Sequence, residues 1–113
     1  MLIQDTLQAV LDRAHQGHLY ITDREQYRRP EHWTIGLVGD CEDFALWSRQ
    51  ELAALDIEAD LVLCVTETGE GHLVCAVGGW VLDNRYRWLQ RRDDLPYTWV
   101  ALGRAGEWRE IVG

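Results

Sequence analysis

Apolar residues recur at helical spacing at the start of the chain. Ile3, Leu7, Val10, Leu11 and Ala14 share one face over residues 2–16, and Gly17 stands where such a helix stops. A second helix is predicted to run to about Leu55, with Cys41, Ala45, Ser48, Leu52 and Leu55 on one face and Asp40 placed as its N-cap. Between the two, "YITDREQYRRPEHWTIGLV" is polar, irregular and aromatic, and Pro30 discourages helix, so residues 20–38 read as a long ordered loop. After Leu55 the period changes. "ADLVLCVTE" and "GHLVCAV" are β-branched, apolar-rich runs separated by the turn-like "TGEG", and Gly78-Gly79 leads into "WVLDN". Three antiparallel strands are predicted there. The tail, with Pro96, "YTWVAL" and a turn at "GRAG", adds one or two more, which gives an α+β fold of helices packed on an antiparallel sheet.

Composition narrows this picture without changing it. At 113 residues the chain suits one domain over 1–113, and 47% hydrophobic content with six tryptophans predicts a packed globule. No segment approaches the roughly 18 apolar residues of a membrane span. A net charge of -8 argues against nucleic acid as a partner, because phosphate binding needs a basic patch. The basic cluster Arg85, Arg87, Arg91 and Arg92 is local and reads first as a solvated loop beside Asp93 and Asp94. Every basic side chain except histidine is arginine, which removes a lysine nucleophile. The N-terminus lacks the features of a secretory signal, and three cysteines, an odd number, fit reduced thiols, so a cytoplasmic setting is expected for the chain as written.

One stretch carries candidate chemistry. "GDCEDF" sets the Cys41 thiol among Asp40, Glu42 and Asp43 in the first turn of the second helix. The helix N-terminus favours a thiolate there, whereas the three acids oppose one. A divalent cation held by some of Asp40, Glu42 and Asp43 would resolve the conflict, and hard oxygen donors suit calcium better than zinc. The alternative, that the acids only cap the helix and favour its dipole, has equal standing.

A nucleophilic cysteine needs an imidazole, and the imidazole a partner on its other nitrogen. If Gly78-Gly79 is a two-residue hairpin turn, Val77 faces Trp80 and Ala76 faces Val81, so His72 and Asp83 become diagonal neighbours on one face. Pairing residue 65 with 74 in the first hairpin would put Leu61, Leu63 and Val65 on that same face, seating the Cys41 helix over His72. It would also set Cys64 against Cys75 on the opposite face, as small buried hydrophobes. His15, His18 and His32 show no ligand spacing and are expected at the surface.

Here the sequence resembles a known family. "GDCEDFA", the following "GHLV" and "VLDN", the upstream "YITDREQYRRPEHW" and the downstream "RRDDLPYTWVALGRAGEW" are similar to motifs of the bacterial transglutaminase-like cysteine peptidases, the family of LapG-type adhesin-processing proteases. The resemblance runs from about Tyr20 to Trp108. It implies a papain-like transglutaminase core, with Cys41 as nucleophile, His72 as general base and acid and Asp83 as orienting carboxylate. It also implies calcium on Asp40 and Glu42, with Asp43 as an addition, and a periplasmic setting in relatives.

Two further residues have open roles. The Trp33 indole is placed either to help stabilise an oxyanion, as upstream donors do in related folds, or to pin the long loop to the core. Asn84 either orients Asp83 or is an ordinary turn residue. Trp80, Trp88, Trp99 and Trp108 are assigned to packing or cleft walls.

The expected activity is hydrolysis of an amide or peptide bond in a protein or peptide substrate through a thioester. Acyl transfer to an amine by the same triad is the first alternative. A catalytically silent binding or structural module, as in a phage particle, is the second. Oligomeric state is left open by the sequence.

Overall fold

The computed structural model describes residues 2–17, 36–37, 41–104 and 107–111. Helix α1 spans Ile3–His15 and helix α2 spans Cys41–Ala54. Leu7, Val10, Leu11 and Ala14 form the buried stripe of α1, while Ile3 is exposed near its start. Gly17 adopts φ 81°, the left-handed conformation that lets the chain leave the helix.

Helix α2 buries Cys41, Phe44, Ala45, Leu46, Trp47, Ser48 and Leu52, a band too wide for one stripe, because α1 packs on one side of it and the sheet on the other. Leu55 falls beyond the helix and is 49% exposed, contrary to the predicted face. The reason is a closing motif. Asp56 takes φ 61°, its N–H donates to Ala53 O at 3.0 Å, and the Ile57 N–H reaches back to Leu52 O at 2.9 Å. This is the paired-bond ending that usually employs glycine; a short polar side chain such as Asp tolerates the same conformation.

Six strands follow: β1 Asp60–Val65, β2 Gly71–Val77, β3 Trp80–Leu82, β4 Gln90–Arg91, β5 Thr98–Arg104 and β6 Glu107–Glu110. They form one antiparallel sheet in the order β4-β3-β2-β1-β5-β6. The second hairpin has the predicted register, with Val77 opposite Trp80, Ala76 opposite Val81 and Cys75 opposite Leu82. Gly78 at φ 59° supplies the positive φ that a tight two-residue turn demands. Residues 105–106 of the predicted GRAG turn lie outside the described residues; the strands on either side pair, with Arg104 opposite Glu107.

The first hairpin differs from the expectation. Val65 pairs with Gly71, not residue 74, and Val62 takes the position opposite Val74. The strand resumes early because Thr66 and Glu70 close a short loop, with the Thr66 N–H donating to Glu70 O at 2.9 Å and Gly69 at φ 86°. That odd-numbered shift exchanges the faces of β1. Leu61, Leu63, Leu73, Cys75 and Leu82 therefore pack under the helices, while Val62, Cys64, Val74, Ala76 and Val81 line the other face with Leu95 and Tyr97. Cys64 and Cys75 do not face each other. Cys64 sits opposite His72, Cys75 opposite Leu61, and both are buried free thiols.

Because both faces are covered, β1 and β2 are apolar almost throughout and carry little in/out alternation. The β4 strand and the 3-10 turn Arg92–Asp94 were not foreseen, being too short to leave a periodic signal.

Candidate active site

The end of β2 explains how a helix on one face of the sheet meets a histidine on the other. Gly71 pairs with Val65 on one edge and bridges in parallel to Leu37. That bridge must use the opposite edge, the side β3 occupies higher up, and β3 has ended at Leu82, opposite Cys75. Leu37 thus takes over a position that β3 has vacated. Cys41 opens α2 four positions further along the sequence, and its thiol lies within hydrogen-bonding reach of the His72 ring. Cys41 is fully buried and His72 5% exposed.

Asp83 lies one residue beyond β3, fully enclosed, and every carboxylate oxygen has a partner. Oδ1 accepts from His72 Nε2 at 2.8 Å and from the Arg85 N–H at 2.9 Å. The second bond spans two residues, the local turn that aspartate favours, and the Tyr86 N–H closes the same turn onto Asp83 O at 3.2 Å. Oδ2 accepts from the Tyr97 hydroxyl at 2.5 Å. Tyr97 in turn accepts from Arg85 Nη1 at 3.0 Å, and Arg85 Nη2 is held by Glu67, 2.6 Å from Oε1. The Tyr97 ring meets His72 edge-on at 5.7 Å.

The ring is thereby oriented by its Nε2 bond, leaving Nδ1 as the nitrogen available to the thiol. Burial disfavours the charged imidazole, but hydrogen bonds to Asp83 and Cys41, together with their charges, outweigh it and push the His72 pKa up to about 9. Burial likewise works against the Asp83 carboxylate. The bond and charge of His72, with help from Tyr97 and the Arg85 N–H, nevertheless hold its pKa below the ordinary range. Burial first, then the Asp83 carboxylate, pushes the Tyr97 hydroxyl up, so it stays a donor.

Cys64 is a second thiol beneath the site. Its Sγ donates to His72 O at 3.5 Å, and burial, reinforced by the charges of Asp83 and Cys41, drives its pKa far up, which makes it an inert packing group.

The structure brings Cys41, His72 and Asp83 together, although over the opposite seat from the one expected. The carboxylate of Asp83 is held by His72, the Tyr97 hydroxyl and the Arg85 N–H, while the neighbouring Asn84 has its Oδ1 buried without a hydrogen-bond partner. Arg85 is a structural member of the site and not merely a solvated loop residue. Tyr97 was missed. Its one signal is a lone hydroxyl following Pro96 in an apolar run, and its bond to Asp83 crosses 14 positions of sequence. His15 is half-buried, not free at the surface; Nε2 donates to Tyr86 O at 2.6 Å and the ring packs on Phe44. Trp88 is 74% exposed, on the rim of a shallow cleft beside His15.

Of the candidate calcium ligands, Glu42 is half-buried and Asp43 exposed in the first turn of α2, both offering the hard oxygens that calcium takes. Asp40 and Trp33 lie outside the described residues. Among the described residues no group of three His, Cys, Asp or Glu side chains converges on a metal position. No helix among them is long and apolar enough to cross a membrane.

Two helices on an antiparallel sheet, with a thiol opening the central helix and a His–Asp pair joining β2 to the turn just after β3, define the papain-like transglutaminase class of fold. The chain belongs to the bacterial transglutaminase-like cysteine proteinases, whose sequence model matches residues 3–112.

Solved structures with the same fold include LapG of Legionella pneumophila. One structure of it gives a TM-score of 0.73 at 19% identity, over 99% of this chain and 71% of LapG. EGTA-treated LapG gives 0.74 at 16% identity, over 99% and 69%. Calcium-bound LapG gives 0.70 at 16% identity, over 96% and 69%. At such identities the likeness is one of fold. A search of the curated proteins returns no significant match.

Proposed function

We propose that this chain is a cysteine peptidase that cleaves a protein or peptide through a thioester on Cys41. The observation that carries the reading is the orientation of His72: with Nε2 committed to Asp83 at 2.8 Å, Nδ1 is left to exchange a proton with the adjacent Cys41 thiol. Cys41 Sγ, with its proton already held on His72, attacks the scissile carbonyl carbon and forms the C–S bond. The imidazolium then gives that proton to the leaving nitrogen as the C–N bond breaks. Water, deprotonated by His72, attacks the thioester, releases the acid and restores the thiol. Asp83 stabilises the imidazolium throughout and takes no proton. The Cys41 N–H, in the first turn of α2, is a donor for the tetrahedral oxyanion, with Trp33 as the second.

Calcium is the metal this reading includes. Glu42 and Asp43, with Asp40, would hold it, and bound calcium would offset the negative charge around the thiol at the helix start.

Alkylation tests the proposal. Iodoacetamide at neutral pH, followed by peptide mass mapping, is expected to modify Cys41 and spare Cys64 and Cys75, and His72→Ala is expected to abolish the selectivity. A matching digest of an unstructured protein should proceed with the wild type and stop in Cys41→Ser. If Cys41 reacts no faster than a small free thiol and no digest is cleaved, the peptidase reading fails.

A further inference from the structure

Beside His72 lies a polar cavity of about 170 Å³, between the β1–β2 loop and the turn that follows β3. Thr66, Thr68 and Glu70 line one side and Arg85 the other, and Cys41 is not among the lining residues. In the thioester mechanism the acyl half of the substrate stays on Cys41, while the amine half departs past the imidazole that protonates it. A cavity that reaches His72 and not the thiol is therefore placed to take the residue that follows the scissile bond.

Volume does not make the selection. At roughly 30 Å³ per water molecule the space holds about five waters, enough for an extended side chain as well as a short one. Charge does. The Arg85 guanidinium is engaged by Glu67, 2.6 Å from Oε1, and the His72 ring by Asp83 at 2.8 Å. Glu70 is the remaining charged group of the lining, and among the described residues its carboxylate has no counter-ion.

The backbone sets where that carboxylate stands. The Thr66 N–H donates to Glu70 O at 2.9 Å, which extends the β1–β2 pairing one step past Val65 and Gly71. Glu70 is then two residues before His72, and strand alternation sends both side chains to the same face. Glu70 is exposed, so its charge is open to an incoming cation.

We propose that this cavity is the leaving-side subsite, that it favours a cationic residue, arginine or lysine, immediately after the scissile bond, and that Glu70 is its specificity-determining residue. The inference rests on the peptidase reading above and deepens it.

The reverse of the leaving step provides a direct assay. A small N-acylglycine thioester acylates Cys41, and an amino-acid amide then captures the acyl group: the amine nitrogen attacks the thioester carbonyl, the C–N bond forms, the C–S bond breaks to release the thiolate, and the amine proton passes to His72. The ratio of amide product to hydrolysed acid reports acceptor binding and does not depend on how much of the preparation is folded.

Argininamide and citrullinamide have side chains of nearly the same size and differ in charge. At equal concentrations of free amine, argininamide is expected to give a ratio about threefold higher, the worth of one solvent-exposed ion pair, and the difference is expected to shrink in high salt as the charges are screened. Glu70→Gln is expected to erase the preference, Glu70→Lys to invert it and Glu70→Asp to retain part of it. Equal capture of the two acceptors by the wild type, or a preference that survives Glu70→Gln, overturns the subsite while leaving the peptidase intact. If mass spectrometry finds no acyl group on Cys41, the peptidase reading falls first and the subsite with it.

Discussion

Tyr97 donates its hydroxyl proton to Oδ2 of Asp83 at 2.5 Å, and Asp83 offers its other oxygen to His72. The carboxylate is thus shared: one oxygen orients the imidazole, and the other is anchored to Tyr97, which packs in the same cluster as Val62, Cys64 and Val74. Tyr97 is itself fixed by Arg85 and, through it, by Glu67, so the position of Asp83 is tied to the β1–β2 loop as well as to β3.

Replacing Tyr97 by Phe removes the donor and leaves a buried carboxylate oxygen unpaired. The expected loss of stability is about 1–3 kcal/mol, read as a shift in the urea midpoint at constant slope. Peptide cleavage should fall by about tenfold in kcat/KM, the same free energy expressed at the site. A structural defect alone would stop there. Loss of the Tyr97 bond also makes Asp83 more basic, so His72 holds its proton more tightly and the alkaline limb of the activity profile is expected to move upward. An unmoved limb would reduce Tyr97 to a packing residue.

At the other end of the sheet, Gly103 faces the Trp108 ring so closely that an added Cβ would lie 3.0 Å from three of its carbons. Gly103→Ala is expected to displace the indole and to cost about 1–3 kcal/mol, as overpacking does. Thermal unfolding and tryptophan fluorescence should both report the change. Because Trp108 lies on β6 and the site lies on the β2 side of the sheet, the triad's labelling pattern should be unchanged at temperatures below the transition.

The His72–Asp83 pair was legible because a Gly-Gly turn of two residues admits one register and strand alternation does the rest. The neighbouring hairpin was not legible for the same physical reason in reverse. Its loop allows several closures, and β1 and β2 are buried on both faces, so no polar residue marks which side is out. Reading residue 65 opposite 74 misplaced the helix, yet Cys41 still lies within hydrogen-bonding reach of His72, with Leu37 bridged to Gly71 at the end of β2. Tyr97 and Asn84 illustrate a further limit. Hydrogen bonding by a hydroxyl 14 residues away, and a carbonyl lacking any partner, are properties of the folded surroundings and leave no spacing in the chain.

Calcium offers a test that does not involve substrate. A ligand that binds only the folded state raises the unfolding temperature, and the shift grows with the logarithm of its concentration once that exceeds the dissociation constant. Millimolar calcium is expected to raise it relative to a chelator, magnesium to do so less, and Asp43→Asn to reduce the calcium shift. Unchanged unfolding with calcium would remove the metal from the mechanism and leave the acids of α2 as partners of the helix dipole.

The raised pKa of His72 has consequences of definite sign. Its value is about 9 in the folded chain against an ordinary 6.5, so folding favours the protonated ring. The stabilisation is fully present below pH 6.5 and is lost as pH rises through about 9. The wild type should therefore exceed His72→Gln in urea midpoint at pH 6, with the difference shrinking across that window. Asp83 runs the other way: its depressed pKa gives stability that is present above its ordinary range and lost as pH falls through the depressed value. For cleavage, the imidazolium must protonate the leaving nitrogen, so kcat/KM is expected to decline along an alkaline limb near pH 9. An alkaline limb near 6.5 instead would mean that Asp83 and Cys41 do not hold the proton on His72 in the free enzyme, and the thiol would then depend on general-base deprotonation at the moment of attack.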